Sequence, residues 1–460
     1  MSFIKKFVGD KRFYLSVIAT ALPIMVQMGI TNFVNLLDNI MVGRLGTEPM
    51  SGVSIVNQFV FVFNLLVFGA VSAAGIFTAQ FFGKGDMENV RATFRFKLIV
   101  NLIVGALGVA VFYFGADVLI NSFLYDDGSG ANLELVFTEA KSYLLYILPG
   151  LIPYSISQAY ASTSRECNRT VLPMAASIAS VVTNFVLNLV LIFGLIGFPA
   201  LGVSGAAIAT TVSRFIELLI LVVFIHAGCK KYEFARGLFR GFKIPRELVF
   251  RIVKKGMPII LNECLWSVAI TMRNQCYSTR GVTSLAATSI SSTVFNVFSV
   301  IYLAMGSAIA IMVGARLGAG DIEGARDTSR KMIAFSVCAA AAIGLALLSV
   351  TPYLPKLFDV GESAQSLASY MLRAQCFFMP VYAFANTSYY TIRSGGKVLI
   401  TMLMDSVFMW ACVVPISAIL AYATDLSIYW LYPLCQATEI LKVALGIILL
   451  CKYNWARKMV

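Results

Sequence analysis

Apolar positions in this chain fall into long runs separated by short polar segments. Phe96–Phe114 carries one charge, Lys97, at its start, and Pro173–Ser213 and Met332–Leu354 carry none. A helix needs about 20 such residues to cross a hydrocarbon core about 30 Å thick. Strands of a membrane barrel alternate over about ten residues, so the runs predict helices and exclude a barrel. Twelve spans are expected, at 13–42, 54–80, 93–115, 138–161, 171–194, 203–228, 254–278, 285–314, 330–350, 365–391, 398–421 and 427–450. Several exceed the bilayer thickness and must tilt, kink or continue beyond lipid. Pro23, Pro258 and Pro380 lie inside spans and predict kinks.

The polar segments alternate in charge. With the N-terminus inside, 28 of the 36 Lys and Arg residues fall in inside segments, three (Arg44, Arg280, Lys356) fall outside, and five lie within spans. This bias places both termini in the cytoplasm and the chain in a cell membrane. The longest basic stretch, Lys230–Lys255, lies midway. It divides the chain into 1–229 with six spans, a cytoplasmic linker at 230–253, and 254–460 with six more. Pro245–Val253 reads as a short interfacial helix with Leu248, Phe250 and Ile252 toward lipid.

The two halves repeat. Shifted by 235 residues, 17 of the 71 positions from Pro23 to Thr93 match Pro258 to Thr328 without a gap. The persuasive matches cluster in a loop: Gly83/Gly318, Gly85/Gly320, Asp86/Asp321, Glu88/Glu323, Arg91/Arg326 and Thr93/Thr328. Six spans per half is an even number, so the halves share one orientation about an axis along the membrane normal, a transporter layout with substrate near the midplane.

Composition narrows the classes further. Of 460 residues 59% are apolar and 13% charged, against about 45–50% and about 25% in soluble domains. The net charge of +13 would suggest nucleic acid on a soluble protein. Here the basic residues sit on one side of a membrane, so the bilayer is the partner and no nucleic acid is expected. Nine cysteines form no C-x-x-C pair, so neither a metal nor a redox pair is indicated. The apolar run after the basic N-terminus continues past Ala19-Thr20-Ala21 to Val42, as in an uncleaved first helix. No phosphate-binding loop, H-E-x-x-H or G-x-S-x-G occurs, which argues against an enzyme. His226, the single histidine, lies at a cytoplasmic helix end and is expected to be solvated.

Several segments together are similar to the multidrug and toxic compound extrusion (MATE) family. They are Pro23 with Asp38-Asn39-Ile40-Met41-Val42-Gly43-Arg44-Leu45-Gly46, Gly83-Lys84-Gly85-Asp86, Arg165-Glu166-Cys167-Asn168-Arg169, Gly256-Met257-Pro258 with Asn262-Glu263-Cys264-Leu265-Trp266, and Arg393-Ser394-Gly395-Gly396-Lys397. The resemblance implies an all-α polytopic protein of twelve transmembrane helices. These would form two six-helix lobes related by a pseudo-two-fold axis, in a V. It implies antiport of an organic, often cationic, compound against H⁺ or Na⁺, with no cofactor, by a monomer. It also implies that Asp38, fifteen residues after Pro23, is a cation-coupling carboxylate supported by Asn184, Asn188 and Thr210, and that Glu263 acts in the second lobe. Na⁺ could then sit at Asp38 or Glu263. The sodium-coupled branch has an aspartate where this chain has Tyr382 and Ala383.

The residues have plainer readings too. Asp38 could be an interfacial carboxylate satisfied by Arg44 or water. Asn184 and Asn188, four apart on one helix face, could simply bond between helices. Trp266 could stack a flat cation or pack. Arg273 stands at the repeat position of Asp38. With Trp266 and Tyr382 it is expected to line the substrate cavity, where a guanidinium would favour an anionic or zwitterionic compound; otherwise it snorkels. Arg214/Glu217 and Glu439/Lys442 read as local pairs three residues apart. Asp405 has no local partner. A lipid-linked oligosaccharide flippase, or an exporter of anionic metabolites, remains the alternative to a cation exporter.

Overall fold

Twelve long helices occupy the places of the twelve expected spans: α1 Lys11–Gly43, α2 Thr47–Lys84, α3 Met87–Phe114, α4 Leu133–Glu166, α5 Val171–Phe193, α6 Gly202–Ala227, α7 Arg246–Ser278, α8 Val282–Gly318, α9 Ile322–Val350, α10 Glu362–Ser394, α11 Val398–Tyr422 and α12 Ile428–Lys452. The computed structural model describes all residues except 1–6, 122–131, 196, 229–230, 240, 242–243, 281, 358–361, 453 and 457–460. Among the described residues no strand occurs. Ten helices among the described residues are long and apolar enough to cross a membrane. The other two, α7 and α10, carry polar side chains along their length: Asn262, Glu263 and Arg273 in one, Arg373, Gln375 and Arg393 in the other.

The helices outrun the apolar runs that signal them. α2 has 38 residues, about 57 Å at 1.5 Å per residue, because its ends continue into polar residues. The same effect removes the separate interfacial helix expected at 245–253. That segment is the first turns of α7, which runs unbroken from Arg246 through Pro258. Leu248 and Ile252, four apart, are buried on its inner face, and only Phe250 is exposed.

α11 departs from regular α geometry. Leu403–Val407 and Met409–Val413 are π-helical, and such widened turns often mark functional sites. The widened stretch lies against α7. Trp410 Nε1 donates to the Leu265 carbonyl at 3.0 Å, and Ser406 Oγ donates to the Asn262 carbonyl at 2.6 Å.

The repeated loop has repeated geometry. Gly85 and Gly320 take φ of 80° and 84°, left-handed values that favour glycine. The aspartates that follow cap α3 and α9 with nearly equal backbone angles (φ −83°, ψ 78° and φ −82°, ψ 75°). Asp86 Oδ1 accepts from Asn89 N at 3.1 Å and Asp321 Oδ1 from Gly324 N at 2.8 Å, as an N-cap does.

The chain divides into two compact units. The first comprises Val26–Thr78 and Asp86–Gly256. Its core joins Val56 and Phe63 of α2, Leu144 and Ile147 of α4, Ile192 of α5 and Ala207 of α6. The linker after α6 folds onto this unit. Tyr232, Phe234, Ala235 and Leu238 are buried, and Arg95 Nε of α3 donates to the Leu238 carbonyl at 2.7 Å. His226 at the end of α6 is partly buried against this linker. Its ring stacks on Phe239 and its Nε2 lies 3.1 Å from Tyr160 Oη.

The second unit comprises Met1–Met25, Ala79–Gly85 and Met257–Val460. Val17 and Ala21 of α1 join its core with Met305, Ile309, Met332 and Ile392. Here the ends of α2 and α8 cross at closest approach. A Cβ on Gly83 would strike the Ala315 carbonyl, and a Cβ on Gly318 would strike the Gln80 carbonyl.

Candidate functional site

The buried face of α5 is polar. Ser177, Ser180, Asn184 and Asn188 recur every three or four residues along it and are all buried. In a membrane span such a face must find partners within the protein. Ser180 Oγ donates to the Ser213 carbonyl of α6 at 2.8 Å. Asn188 Nδ2 donates to Asp38 Oδ1 of α1 at 2.6 Å and to Asn184 Oδ1 at 3.2 Å. The Asn184 amide lies 3.2 Å from Thr210 Oγ1 of α6. Asp38, Asn184, Asn188 and Thr210 thus form one cluster from three helices of the first unit. Asp38 is bonded to α5, not to Arg44.

With its nitrogen toward Asp38, the Asn184 amide donates to both carboxylate oxygens at 3.0 and 3.1 Å and its oxygen accepts from Thr210 Oγ1, in place of the bond from Asn188 Nδ2. Asn188 Oδ1 is buried and accepts no hydrogen bond. The Asp38 carboxylate and the Thr210 hydroxyl are hard oxygens of the kind a small cation takes. Arg214, the nearest cation, pairs with Glu217 at 3.5 Å and lies over the Tyr154 ring at 4.7 Å.

Glu263 lies in a second cluster, built from α7, α10, α11 and α12 of the second unit. Its Oε1 is 3.8 Å from Arg393 NH1. The same NH1 donates to Tyr389 Oη at 3.2 Å, and the guanidinium lies over the rings of Tyr389 and Tyr390. One residue before Glu263, Asn262 Nδ2 donates to Asp405 Oδ2 at 3.1 Å. Lys442 Nζ donates to Asp405 Oδ1 at 2.6 Å. Lys442 therefore does not pair with Glu439, its neighbour in sequence. The widened turn of α11 brings Asp405 to it from 37 residues away. Asn262, Tyr389, Arg393, Asp405 and Lys442 escape a reading from spacing because their partners are on other helices. The signal in the sequence is Asp405, a carboxylate in an apolar run without a local partner.

The other expected residues make no hydrogen bond or ion pair with these clusters among the described residues. Trp266 packs with Ala269, Phe408, Met409 and Val413. Tyr382 Oη donates to Gln436 Oε1 at 2.9 Å, and its ring meets Phe295, Tyr302 and Phe378. Arg273 lies near Tyr277, Tyr382, Tyr432 and Glu439, and its Nε is buried with no hydrogen-bond partner.

A third charged group, absent from the expectations, is structural. Lys97 of α3 is fully buried and forms an ion pair with Glu166 at the end of α4. Its Nζ also donates to Ser162 Oγ at 3.1 Å, and Ser162 donates to Glu166 Oε1 at 2.5 Å.

The MatE family model matches residues 23–190 and 258–423. Among curated proteins, the probable multidrug resistance protein NorM of Thermotoga maritima is 24% identical, with 96% of this chain and 93% of that protein covered. Among solved structures, the Vibrio cholerae MATE transporter VcmN, as its D35N mutant, superposes with a TM-score of 0.86 at 19% identity, covering 97% of this chain and 98% of that one. A transporter of the MOP superfamily from Pyrococcus furiosus, whose binding pocket is described as having reverse polarity, superposes at 0.84 with 21% identity, covering 97% of each chain.

Proposed function

This chain belongs to the MatE family of multi-pass membrane transporters, and from that premise we propose that it is an antiporter. It exports organic compounds in exchange for H⁺ or Na⁺, and Asp38 takes the coupling ion. The observation that carries this reading is the convergence on Asp38, a carboxylate in a membrane span, of the neutral amides of Asn188 and Asn184, with Thr210 behind Asn184 and no ion pair to Asp38 among the described residues. Neutral donors hold the empty carboxylate and leave the place of an exchangeable ion to that ion. Burial raises the stakes, because an unsatisfied carboxylate inside a span is costly. Ion binding here would bias the protein between its transport states only through unequal affinity for them. The names of curated relatives support an organic substrate. The inside bias of basic residues supports a cell-membrane location with both termini in the cytoplasm.

The test is efflux of a fluorescent organic cation from proteoliposomes under a pH gradient or a Na⁺ gradient, applied separately to wild type and Asp38→Asn. Efflux that follows one gradient and is lost in Asp38→Asn is the expected result. Full gradient-driven efflux by Asp38→Asn removes Asp38 from the mechanism.

A second reading rests on Arg273, partly buried, whose Nε is buried and unbonded and whose guanidinium lies near three tyrosines. It favours an anionic or zwitterionic compound, and the pocket description of the Pyrococcus furiosus transporter is in line with it. Efflux of an organic anion that Arg273→Gln abolishes would establish it over the cation reading.

A further inference from the structure

The second-unit cluster, like the cluster at Asp38, sets a carboxylate among amide and hydroxyl groups. Asp38 accepts from Asn188 and, with its amide turned, from Asn184, and Asn184 in turn meets Thr210 Oγ1. Around Asp405 a carboxylate meets Asn262, and Asn262 in turn meets Ser406 Oγ at 2.8 Å and Tyr389 Oη at 3.4 Å. The oxygens of a small-cation site are present in both. At Asp405, however, the ammonium of Lys442 already sits 2.6 Å from the carboxylate. The neighbouring Glu263 faces the Arg393 guanidinium as a looser ion pair, at 3.8 Å.

We propose that Lys442 and Arg393 are tethered counter-cations that occupy the second unit's cation positions, so that Asp405 and Glu263 carry no transported ion. The inference rests on the antiport reading and assigns coupling to the first unit alone.

The charge inventory supports it. The charged and titratable groups at this cluster are Glu263 from α7, Arg393, Tyr389 and Tyr390 from α10, Asp405 from α11 and Lys442 from α12. Glu439 of α12 and Arg273 of α7 add one charge of each sign nearby. Each of the two carboxylates faces a cation, at 2.6 and 3.8 Å, so a further cation would enter a neutral site and gain no net attraction. Asp38 makes no ion pair among the described residues: its hydrogen bonds are to neutral amides, and Arg214 acts on it only at longer range. Ammonium and Na⁺ also differ in a way that matters for a carrier. Lys442 is held by its chain and cannot leave, so it can fix a carboxylate but cannot be exchanged across the membrane.

The experiment is equilibrium binding of ²²Na⁺ to purified protein in detergent. It uses wild type, Asp38→Asn, Lys442→Met, the charge-balanced Asp405→Asn/Lys442→Met, and Lys442→Met combined with Asp38→Asn. Removing Lys442 empties the position beside Asp405, so Lys442→Met gains Na⁺ binding that survives Asp38→Asn. The gain vanishes in Asp405→Asn/Lys442→Met. That charge-balanced variant also exports substrate in proteoliposomes with the wild-type number of ions per substrate. It guards against misfolding, because it leaves no unpaired charge. Two results would overturn the proposal. One is no gain of Na⁺ binding in a monodisperse Lys442→Met protein. The other is a changed ion-to-substrate ratio in the charge-balanced variant. Failure of the antiport reading has a different signature: Asp38→Asn then transports like wild type, whatever Lys442→Met binds.

Discussion

The buried Lys97–Glu166 pair permits a quantitative test of what holds the first unit together. Lys97→Met removes the ammonium and leaves Glu166, 13% exposed at its side chain, with Ser162 as its remaining hydroxyl donor. Glu166→Gln strands the ammonium, fully buried, on Ser162 at 3.1 Å and Thr163 at 3.4 Å. Breaking a buried pair from one side costs about 3–5 kcal/mol, because the surviving charge is desolvated without compensation. Glu166 retains a hydroxyl and some solvent, so Lys97→Met should fall at the lower end, about 3 kcal/mol, and Glu166→Gln near the upper. Three kcal/mol is about a 150-fold change in the unfolding equilibrium. Replacing both partners removes both charges, so Lys97→Met/Glu166→Gln should cost no more than the milder single change, which from singles of about 3 and about 5 kcal/mol requires a coupling energy of about 5 kcal/mol or more. The assay is equilibrium unfolding in mixed detergent micelles, followed by tryptophan fluorescence, for the two single variants and the double. Single variants as stable as wild type, or a double variant that is merely the sum of the singles, would refute the reasoning.

Two further outcomes follow from particular contacts. Asn188→Leu removes the donor 2.6 Å from Asp38 and raises the empty state by about 1.5–3 kcal/mol. Efflux should then half-saturate at a coupling-cation concentration lower by about tenfold or more; a higher concentration would instead make Asn188 Oδ1 a ligand and sink the donor argument. Gly83→Ala drives a methyl into the Ala315 carbonyl and should destabilise by at least about 1–3 kcal/mol. Gly29→Ala, where no heavy atom lies within 4 Å, should be neutral in the same unfolding assay.

Hydropathy is legible because lipid demands it, and so the twelve helices stand where the apolar runs predict. Their ends are less legible. A helix closes its own backbone hydrogen bonds whether or not lipid surrounds it, so α7 continues eight residues upstream of the expected 254. Leu248 and Ile252 then meet protein instead of lipid. The first-unit cluster was visible in part, since Asn184 and Asn188 share a face by spacing alone. Its link to Asp38, 150 residues away, came only through a family resemblance. In the second unit, spacing pointed the wrong way. Glu439 and Lys442 satisfy the rule for helix neighbours, yet Lys442 reaches across to Asp405. Intrahelical spacing ranks partners on one cylinder and is blind to a π-widened turn on the next.

The crossing of α2 and α8 obeys the internal repeat. Gly83 meets Ala315 and Gly318 meets Gln80, and the 235-residue shift that relates Gly83 to Gly318 also relates Gln80 to Ala315. A contact in which one residue touches a second, and the equivalents touch in reverse, is the isologous contact of a symmetric dimer. The crossing thus has the reciprocal pattern that two copies of one repeated unit would make, here within a single polypeptide. The repeat is kept at this contact and lost elsewhere: where one copy holds Asp38, the other holds Arg273.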